Sequence, residues 1–261
     1  MVTISPHSEP YYSDPQVTLF HGEAEDILPT IEAVAHVITD PPYSEHVHGA
    51  ARSSRMQSAN DRGGKCGADV RRNVELGFDH LTPELRAFCA TEFERIAERW
   101  VLVFSDVESG HLWADDLATA GLDYVRTGAW VKLGSTPQFS GDRPATGFEA
   151  VTICHPKGRK RWNGGGKHAI WSVPIVLDRG KSTEGRLHTT QKPIGLMRAL
   201  VDQFTDPGDV ILDAFAGSGT TLLAASQAGR KAIGIERDER YAEVIAKRLM
   251  NADQSIFGGV A

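Results

Sequence analysis

Asp40-Pro41-Pro42-Tyr43 follows the apolar run Ala35-His36-Val37-Ile38-Thr39. A buried strand that ends in this tetrapeptide brings a carboxylate, a backbone carbonyl and an aromatic face to one point. The Asp40 carboxylate and the Pro41 carbonyl are acceptors, suited to the two N–H protons of an amine on a planar ring. The lone pair of such an amine is delocalised into its ring, so it is a poor nucleophile. Two acceptors make the nitrogen more tetrahedral and aim its lone pair. Pro42 stiffens the turn and removes a competing backbone donor. Tyr43 offers a face on which a planar ring can stack. Taken alone, the plain alternative is an ordinary proline turn.

A second loop is of a different kind. Asp213-Ala214-Phe215-Ala216-Gly217-Ser218-Gly219-Thr220-Thr221 follows Val210-Ile211-Leu212, where a strand meets a helix. Gly217 and Gly219 let the backbone turn sharply and approach a ligand closely. Leu222 stands where a dinucleotide-binding loop carries its third glycine, and no lysine follows Gly219, so this is not a P-loop. Glu236 ends the next strand, where an acidic side chain can accept both hydroxyls of a ribose. The pattern suits a nucleoside without a phosphate cradle.

The elements that must hold these loops are legible as alternating strands and helices. Strands are expected at Val17–Phe20, Ala35–Thr39, Trp100–Phe104, Tyr124–Lys132, Phe148–Cys154, Val210–Leu212 and Lys231–Ile235. Helices are expected at Ala24–Glu32, from Thr82-Pro83 onward, and at His111–Ala120, Pro193–Phe204, Thr220–Ala228 and Glu239–Leu249. Thr82 is a natural N-cap, Pro83 suits the first turn, and Gly121 stops the helix before it. Strands alternating with helices predict an α/β fold, a mostly parallel sheet with helices on both faces. Residues 1–15 read as an extended arm. Residues 44–78 and 156–187 read as irregular, the first a flexible loop. There is no internal repeat.

The chain of 261 residues is 41% hydrophobic and 24% charged, which suits one domain spanning 1–261. A formal net charge of -6 argues against indiscriminate coating of a polyanion, though not against a local basic surface. Cys66, Cys89 and Cys154 are scattered, without a C-x-x-C pair, so neither zinc nor a disulfide framework is expected. The first residues show no basic segment followed by an apolar one, and no apolar stretch is of membrane-spanning length. A soluble, cytoplasmic protein without metal is the expectation.

The two loops, in this order, resemble the catalytic and S-adenosylmethionine (SAM) loops of the permuted beta group of DNA amino-methyltransferases. The stretch Trp130-Val131-Lys132, then Pro137, Phe139, Gly141, Arg143 and Glu149, is similar to that of the cell-cycle-regulated adenine-N6 enzymes. The resemblance runs from Gly22 to about Ala246. It implies a Rossmann-like SAM methyltransferase fold, with a mostly parallel seven-stranded sheet whose last strand is antiparallel. It implies Asp40, Pro41, Pro42 and Tyr43 as catalytic residues. SAM would be held by Asp213, Phe215, Ala216, Gly217, Ser218, Gly219, Thr220, Thr221 and Glu236. His188-Thr189-Thr190-Gln191-Lys192-Pro193 resembles the family's His-Pro-Thr-Gln-Lys-Pro motif at the methionine end of SAM. That gives His188, Thr190 and Gln191 to the cofactor and pairs Lys192 with its carboxylate. Gly22-Glu23 resembles the Gly-Asp that closes over the adenine ring of the cofactor.

The resemblance also implies duplex DNA, a flipped base, direct in-line transfer, and a place at the nucleoid. Arg52 and Arg55, with Arg62, Lys65, Arg71 and Arg72, supply phosphate contacts from the first basic segment. Lys157, Arg159, Lys160 and Arg161 are expected to supply them from the second, with Trp162 and Asn163 reaching base edges or filling the space left by the flipped nucleotide. Trp130, Lys132, Phe139 and Arg143 are further DNA-facing candidates. Residues 156–187 are the expected target-recognition insertion, and a homodimer would extend the DNA surface. Adenine N6 is the expected acceptor, with cytosine N4 the close alternative, in a restriction-modification or stand-alone setting. A non-catalytic DNA-binding or SAM-sensing protein, or a nicotinamide-dependent oxidoreductase, are the readings from other classes.

Overall fold

The computed structural model describes residues 9–43, 81–135, 141–176 and 191–257. Two strands carry the logic of the fold. β3 (His36–Thr39) and β4 (Val101–Ser105) are buried at every position, as strands covered on both faces must be. In β4, Leu102 and Phe104 enter one hydrophobic core while Val101 and Val103 enter the other, the period-two alternation of a strand.

Around them lies a sheet of nine strands in the order β1-β2-β9-β8-β3-β4-β6-β5-β7. The others are β1 (Tyr12–Ser13), β2 (Val17–His21), β5 (Asp123–Leu133), β6 (Phe148–His155), β7 (Ile170–Pro174), β8 (Val210–Asp213) and β9 (Lys231–Glu236). β2, β9, β8, β3 and β4 are mutually parallel, and β6 runs antiparallel between β4 and β5. The seven strands from β2 to β5 match the expected sheet; β1 and β7 extend its edges. The antiparallel member is β6, not the last strand of the chain, and β1 also runs antiparallel, to β2.

The helices are α1 (Ala24–Ile27), α2 (Pro83–Ile96), α3 (Gly110–Ala120), α4 (Ile194–Phe204), α5 (Thr220–Gln227) and α6 (Glu239–Phe257). The expected helix over Ala24–Glu32 is only one turn followed by a 3-10 turn, Leu28–Thr30, in which Pro29 lacks the donor that would continue it. Thr82 caps α2, its hydroxyl accepting from Leu85 N at 3.2 Å. One core packs α4, α5 and α6 on the sheet through residues such as Leu196, Leu200, Phe204 and Leu222. The opposite core packs α2 and α3 through Phe93, Ile96, Trp113 and Leu117. Among the described residues no helix is long and apolar enough to cross a membrane.

Parallel strands place all their carboxyl ends on one edge. Thr39, Ser105, Asp213 and Glu236 end β3, β4, β8 and β9 there. β6, running the other way, starts at that edge with Phe148 and Glu149 and leaves at the opposite one with His155. β7 lay outside the expectation because residues 156–187 read as irregular; its burial alternates, with Trp171 and Val173 turned inward, but Ile170 and Pro174 are exposed, so the residue types do not show that alternation.

Leu222, at the place of the missing third glycine, is fully buried. The close approach of helix to strand is made instead by Gly234 of β9, where an added Cβ would meet Leu222 Cδ1 at 2.5 Å. Gly234→Ala is expected to lower stability in urea by about 2 kcal/mol. Combined with Leu222→Ala, the loss should fall short of the sum of the single losses by about 1 kcal/mol or more. Strict additivity would show that Leu222 does not set this spacing.

Candidate active site

Asp40 leaves β3 at the carboxyl edge, and the ammonium of Lys192, two residues before α4, lies directly against its Oδ2. The same Lys192 Nζ donates to the Tyr43 hydroxyl at 3.2 Å and sits 3.2 Å from Glu149 Oε2. Glu149 Oε1 is in turn held by Lys132 Nζ at 2.6 Å. Three rings surround the ammonium: Phe104 at 5.2 Å, Tyr43 at 5.4 Å and Trp130 at 5.9 Å. The strand pattern explains the assembly. Trp130 and Lys132 are two apart on β5 and so share a face, and Glu149 pairs directly with Trp130 across to β6.

This is a row of alternating charges whose inner members are nearly sealed from solvent. The side chain of Lys192 is 6% exposed and that of Glu149 9%, against 24% for Asp40. Burial pushes the Asp40 carboxyl above its ordinary range, and Lys192 offsets only part of that. Burial also presses on Glu149, but Lys192 and Lys132 outweigh it and hold that carboxyl below its ordinary range. Lys192, against burial, is held above its ordinary value by Asp40 and Glu149. Among the described residues Asp40 Oδ1 is buried with no hydrogen-bond partner. A small cleft is lined by Pro42 and Tyr43, which follow Asp40 in the chain, and by Phe104 and Ser105.

The second loop lies next door, since β8 pairs with β3. Thr39 Oγ1 donates to Asp213 Oδ1 at 2.8 Å, which ties the two loops together. Phe215 N donates to the same oxygen at 3.2 Å. Burial raises the Asp213 carboxyl to about 6. Gly217 and Gly219 have φ of 54° and 73°, the left-handed region that glycine enters freely. A Cβ on Gly219 would strike Ile245 at 2.8 Å, whereas one on Gly217 would meet only Phe215 O at 3.9 Å, so the Gly217 side is open. Glu236 Oε2 accepts from Gly217 N at 2.7 Å and Oε1 from Asp238 N at 2.9 Å. Burial raises this carboxyl to about 7. Gly22 N donates to Glu236 O at 3.0 Å, bringing Glu23 to the same edge. A buried carboxylate with spare lone pairs, beside open glycine backbone, fits the ribose of an adenosyl group.

Other candidates fall elsewhere. Lys192 is placed on Asp40 and Glu149, not kept free for a cofactor carboxylate. Trp130 is 3% exposed, with Nε1 donating to Val173 O at 3.0 Å, so it forms a wall and not a stacking platform. Lys132 is spent on Glu149, and Arg143 is exposed beside Asp142. The run Lys157–Trp162 follows β6 and therefore lies at the opposite edge of the sheet from Asp40. There Lys160 pairs with Asp123 and Arg161 with Asp206. Trp162 packs edge-on against Phe204, and Asn163 Nδ2 donates to Thr205 O at 2.9 Å. Trp162 and Asn163 thus serve packing, and the structure does not bring them to a base at Asp40. Arg52, Arg55, Phe139, His188 and Thr190 lie outside the described residues. Glu149 and Phe104 were not among the assigned site residues. An acidic residue inside a strand expected to be buried was the available signal for Glu149.

The sequence pattern of the family described as DNA methylase, the N6 and N4 methyltransferases, matches residues 34–248. The chain is 26% identical over 255 residues to the type II methyltransferase M.HinfI of Haemophilus influenzae, covering 89% of this chain and 68% of that one. Among solved structures, the M1.HpyAVI–SAM complex has a TM-score of 0.63 at 22% identity, covering 89% of this chain and 98% of that one. PvuII DNA methyltransferase, named as cytosine-N4-specific, has a TM-score of 0.66 at 14% identity, covering 97% of this chain and 96% of that one. Both share the fold.

The raised carboxyl of Glu236 has a consequence for stability. Its folded value of about 7 lies above the ordinary 4.5, so between these values the folded state holds the proton more tightly. Its contribution is therefore full below about pH 4.5 and is lost as pH rises through about 7. Asp213, at about 6, acts with the same sign. Glu236→Gln should flatten the fall in melting temperature between pH 5 and pH 8. An unchanged slope would show that Glu236 ionises freely in the folded protein.

Proposed function

The chain belongs to the DNA methylase family, whose methyl donor is SAM, and we propose that it methylates the N6 amino group of adenine in duplex DNA at the Asp40 loop. The observation that carries this reading is the buried Asp40 Oδ1, without a hydrogen-bond partner among the described residues, on the loop whose Pro42 and Tyr43 line a small cleft. Asp40 Oδ1 accepts one N–H of the target amine and the Pro41 carbonyl the other, which turns the nitrogen lone pair outward. Tyr43 takes the face of the flipped base, a contact of about 1–3 kcal/mol. SAM, when bound, supplies a methyl group on a positively charged sulfur. Glu236 accepts the ribose hydroxyls, and the glycine backbone at Gly217 and Gly219 admits the adenosyl group closely. The amine gains the methyl and gives up one proton, for which the Asp40 carboxylate is the nearest base. Positioning, not covalent catalysis, does the work. Phosphate contacts are assigned to Arg52, Arg55 and their neighbours, and the setting is the cytoplasm at the nucleoid.

The Asp-Pro-Pro-Tyr form and the Trp130–Lys132 stretch support adenine. Cytosine N4 is the second reading, because the same two acceptors serve either amine and the cytosine-N4-specific PvuII enzyme shares the fold.

Incubation with unmethylated DNA and SAM, followed by nucleoside mass spectrometry, should yield N6-methyladenine. Asp40→Ala should lower the rate roughly a thousandfold while leaving SAM affinity intact. N4-methylcytosine instead would move the assignment to the second reading. Glu236, at about 7, must be ionised to accept both hydroxyls. The Kd for SAM is therefore expected to be flat above about pH 8 and to rise by roughly tenfold per unit on the acid side of about pH 6. A pH-independent Kd, read by calorimetry, would contradict the role of Glu236.

A further inference from the structure

An ammonium this deeply buried can stay charged only where carboxylates receive it. Lys192 has two: Asp40 on one side and Glu149 on the other, with the rings of Tyr43, Phe104 and Trp130 around it. These are also the needs of an amino-substituted base, which must give N–H donors to Asp40 and a flat face to Tyr43. We propose that Lys192 is a positioning residue of the transfer site: in the base-free protein its ammonium holds the seat of the target amino group at Asp40, and it moves onto Glu149 when a base enters. This rests on the reading of Asp40 as the acceptor of that amine.

The geometry makes the exchange short. Nζ is already 3.2 Å from Glu149 Oε2, an oxygen that receives no hydrogen bond among the described residues. Glu149 cannot follow Lys192 toward Asp40, because Lys132 anchors its other oxygen at 2.6 Å. Pro193, the N-cap of α4, fixes the neighbouring backbone, so the side chain alone need swing. Asp40 Oδ1, the oxygen assigned to the amine, has no partner among the described residues while Lys192 sits on Oδ2 of the same carboxylate, so an arriving amine finds its acceptor free before the ammonium beside it moves away.

The same arrangement sets the charge of Asp40. The groups that face it are Tyr43 on its own loop, Lys192 before α4, Glu149 on β6 with Lys132 of β5 behind it, and Asp213 on β8. Burial and Glu149 favour a proton on Asp40, and Lys192 is the cation that opposes them. A protonated Asp40 is a poorer acceptor. Lys192 thus keeps the seat usable as well as occupied.

The test compares wild type with Lys192→Met, which keeps the length of the side chain without its charge, with Lys192→Arg, and with Glu149→Gln. The carboxyl carbon of Asp40, assigned through Asp40→Asn, is titrated by NMR in the free protein. Single-turnover methylation at saturating SAM is followed against pH, and SAM affinity is measured by calorimetry. Lys192→Met is expected to move both the Asp40 midpoint and the acid limb of the rate upward by about one pH unit or more. The rate should recover toward high pH, with the SAM Kd within about threefold of wild type. Lys192→Arg should restore the limb. Glu149→Gln leaves Lys192 with Asp40 alone, so the KM for DNA should rise by roughly fivefold, more than the rate at saturating DNA falls. A tenfold weaker SAM complex in Lys192→Met, with Asp40 midpoint and acid limb unmoved, would overturn the proposal and make Lys192 a cofactor ligand. If Lys192→Met does not fold, an unchanged KM for DNA in Glu149→Gln overturns it equally. A wild-type protein that transfers no methyl group would instead remove the reading of Asp40 as amine acceptor. The Asp40 midpoint would then decide the role of Lys192 by itself.

Discussion

Taking an ammonium and two carboxylates out of water costs several kcal/mol for each charge before any attraction is counted. Asp40, Lys192, Glu149 and Lys132 meet that cost only as a row of alternating sign, in which Lys192 and Glu149 each lie between two opposite charges. Each member comes from a different element: the loop after β3, the entry to α4, β6 and β5. The row therefore locates the Asp40 loop against the antiparallel strand β6, with the rings of Phe104, Tyr43 and Trp130 around its ammonium. Removing one member strands a charge, which is why the site behaves as a unit and not as four separate residues.

The sheet supplies the second constraint. From β8 the chain passes through α5 to β9, packing on one face, whereas α2, between β3 and β4 in the chain, packs on the other. The adjacent strands β3 and β8 thus flank a point where the winding changes direction, and open α/β sheets bind ligands in the crevice such a reversal creates. The Asp40 loop leaves one strand there and the glycine loop the other, joined by the Thr39–Asp213 hydrogen bond. The proposed amine acceptor and nucleoside site are neighbours because their strands are neighbours, although the two loops are far apart in the chain.

What was legible in the sequence was local. Asp40-Pro41-Pro42-Tyr43, the two glycines and Glu236 each sit at a strand end whose apolar run announces it. Which residues topology brings together was not legible: Trp130, Lys132 and Glu149 stood out as a stretch, but nothing local put them beside Lys192 and Asp40. Glu149 reaches the site because β6 runs backward and starts at the catalytic edge. For the same reason Lys157–Trp162 leaves at the far edge, where Trp100 Nε1 donates to Arg161 O at 2.5 Å and the basic run is tied to the core. A basic run next to a candidate recognition segment reads alike at either edge, since composition does not record strand direction. Lys192 was legible as a functional lysine but not its partner, which depends on where α4 docks.

The proposed transfer requires Asp40 and Glu236 to face one crevice from either side of the glycine loop. A crystal structure with sinefungin, a SAM analogue in which an amine-bearing carbon replaces the sulfur and its methyl group, tests this most directly. The ribose hydroxyls are predicted on the Glu236 carboxylate and the amine on the Asp40 side of the crevice, with Lys192 still between Asp40 and Glu149. An adenosyl group bound away from Glu236, or Lys192 drawn off Asp40 onto the carboxylate of the analogue, would contradict it.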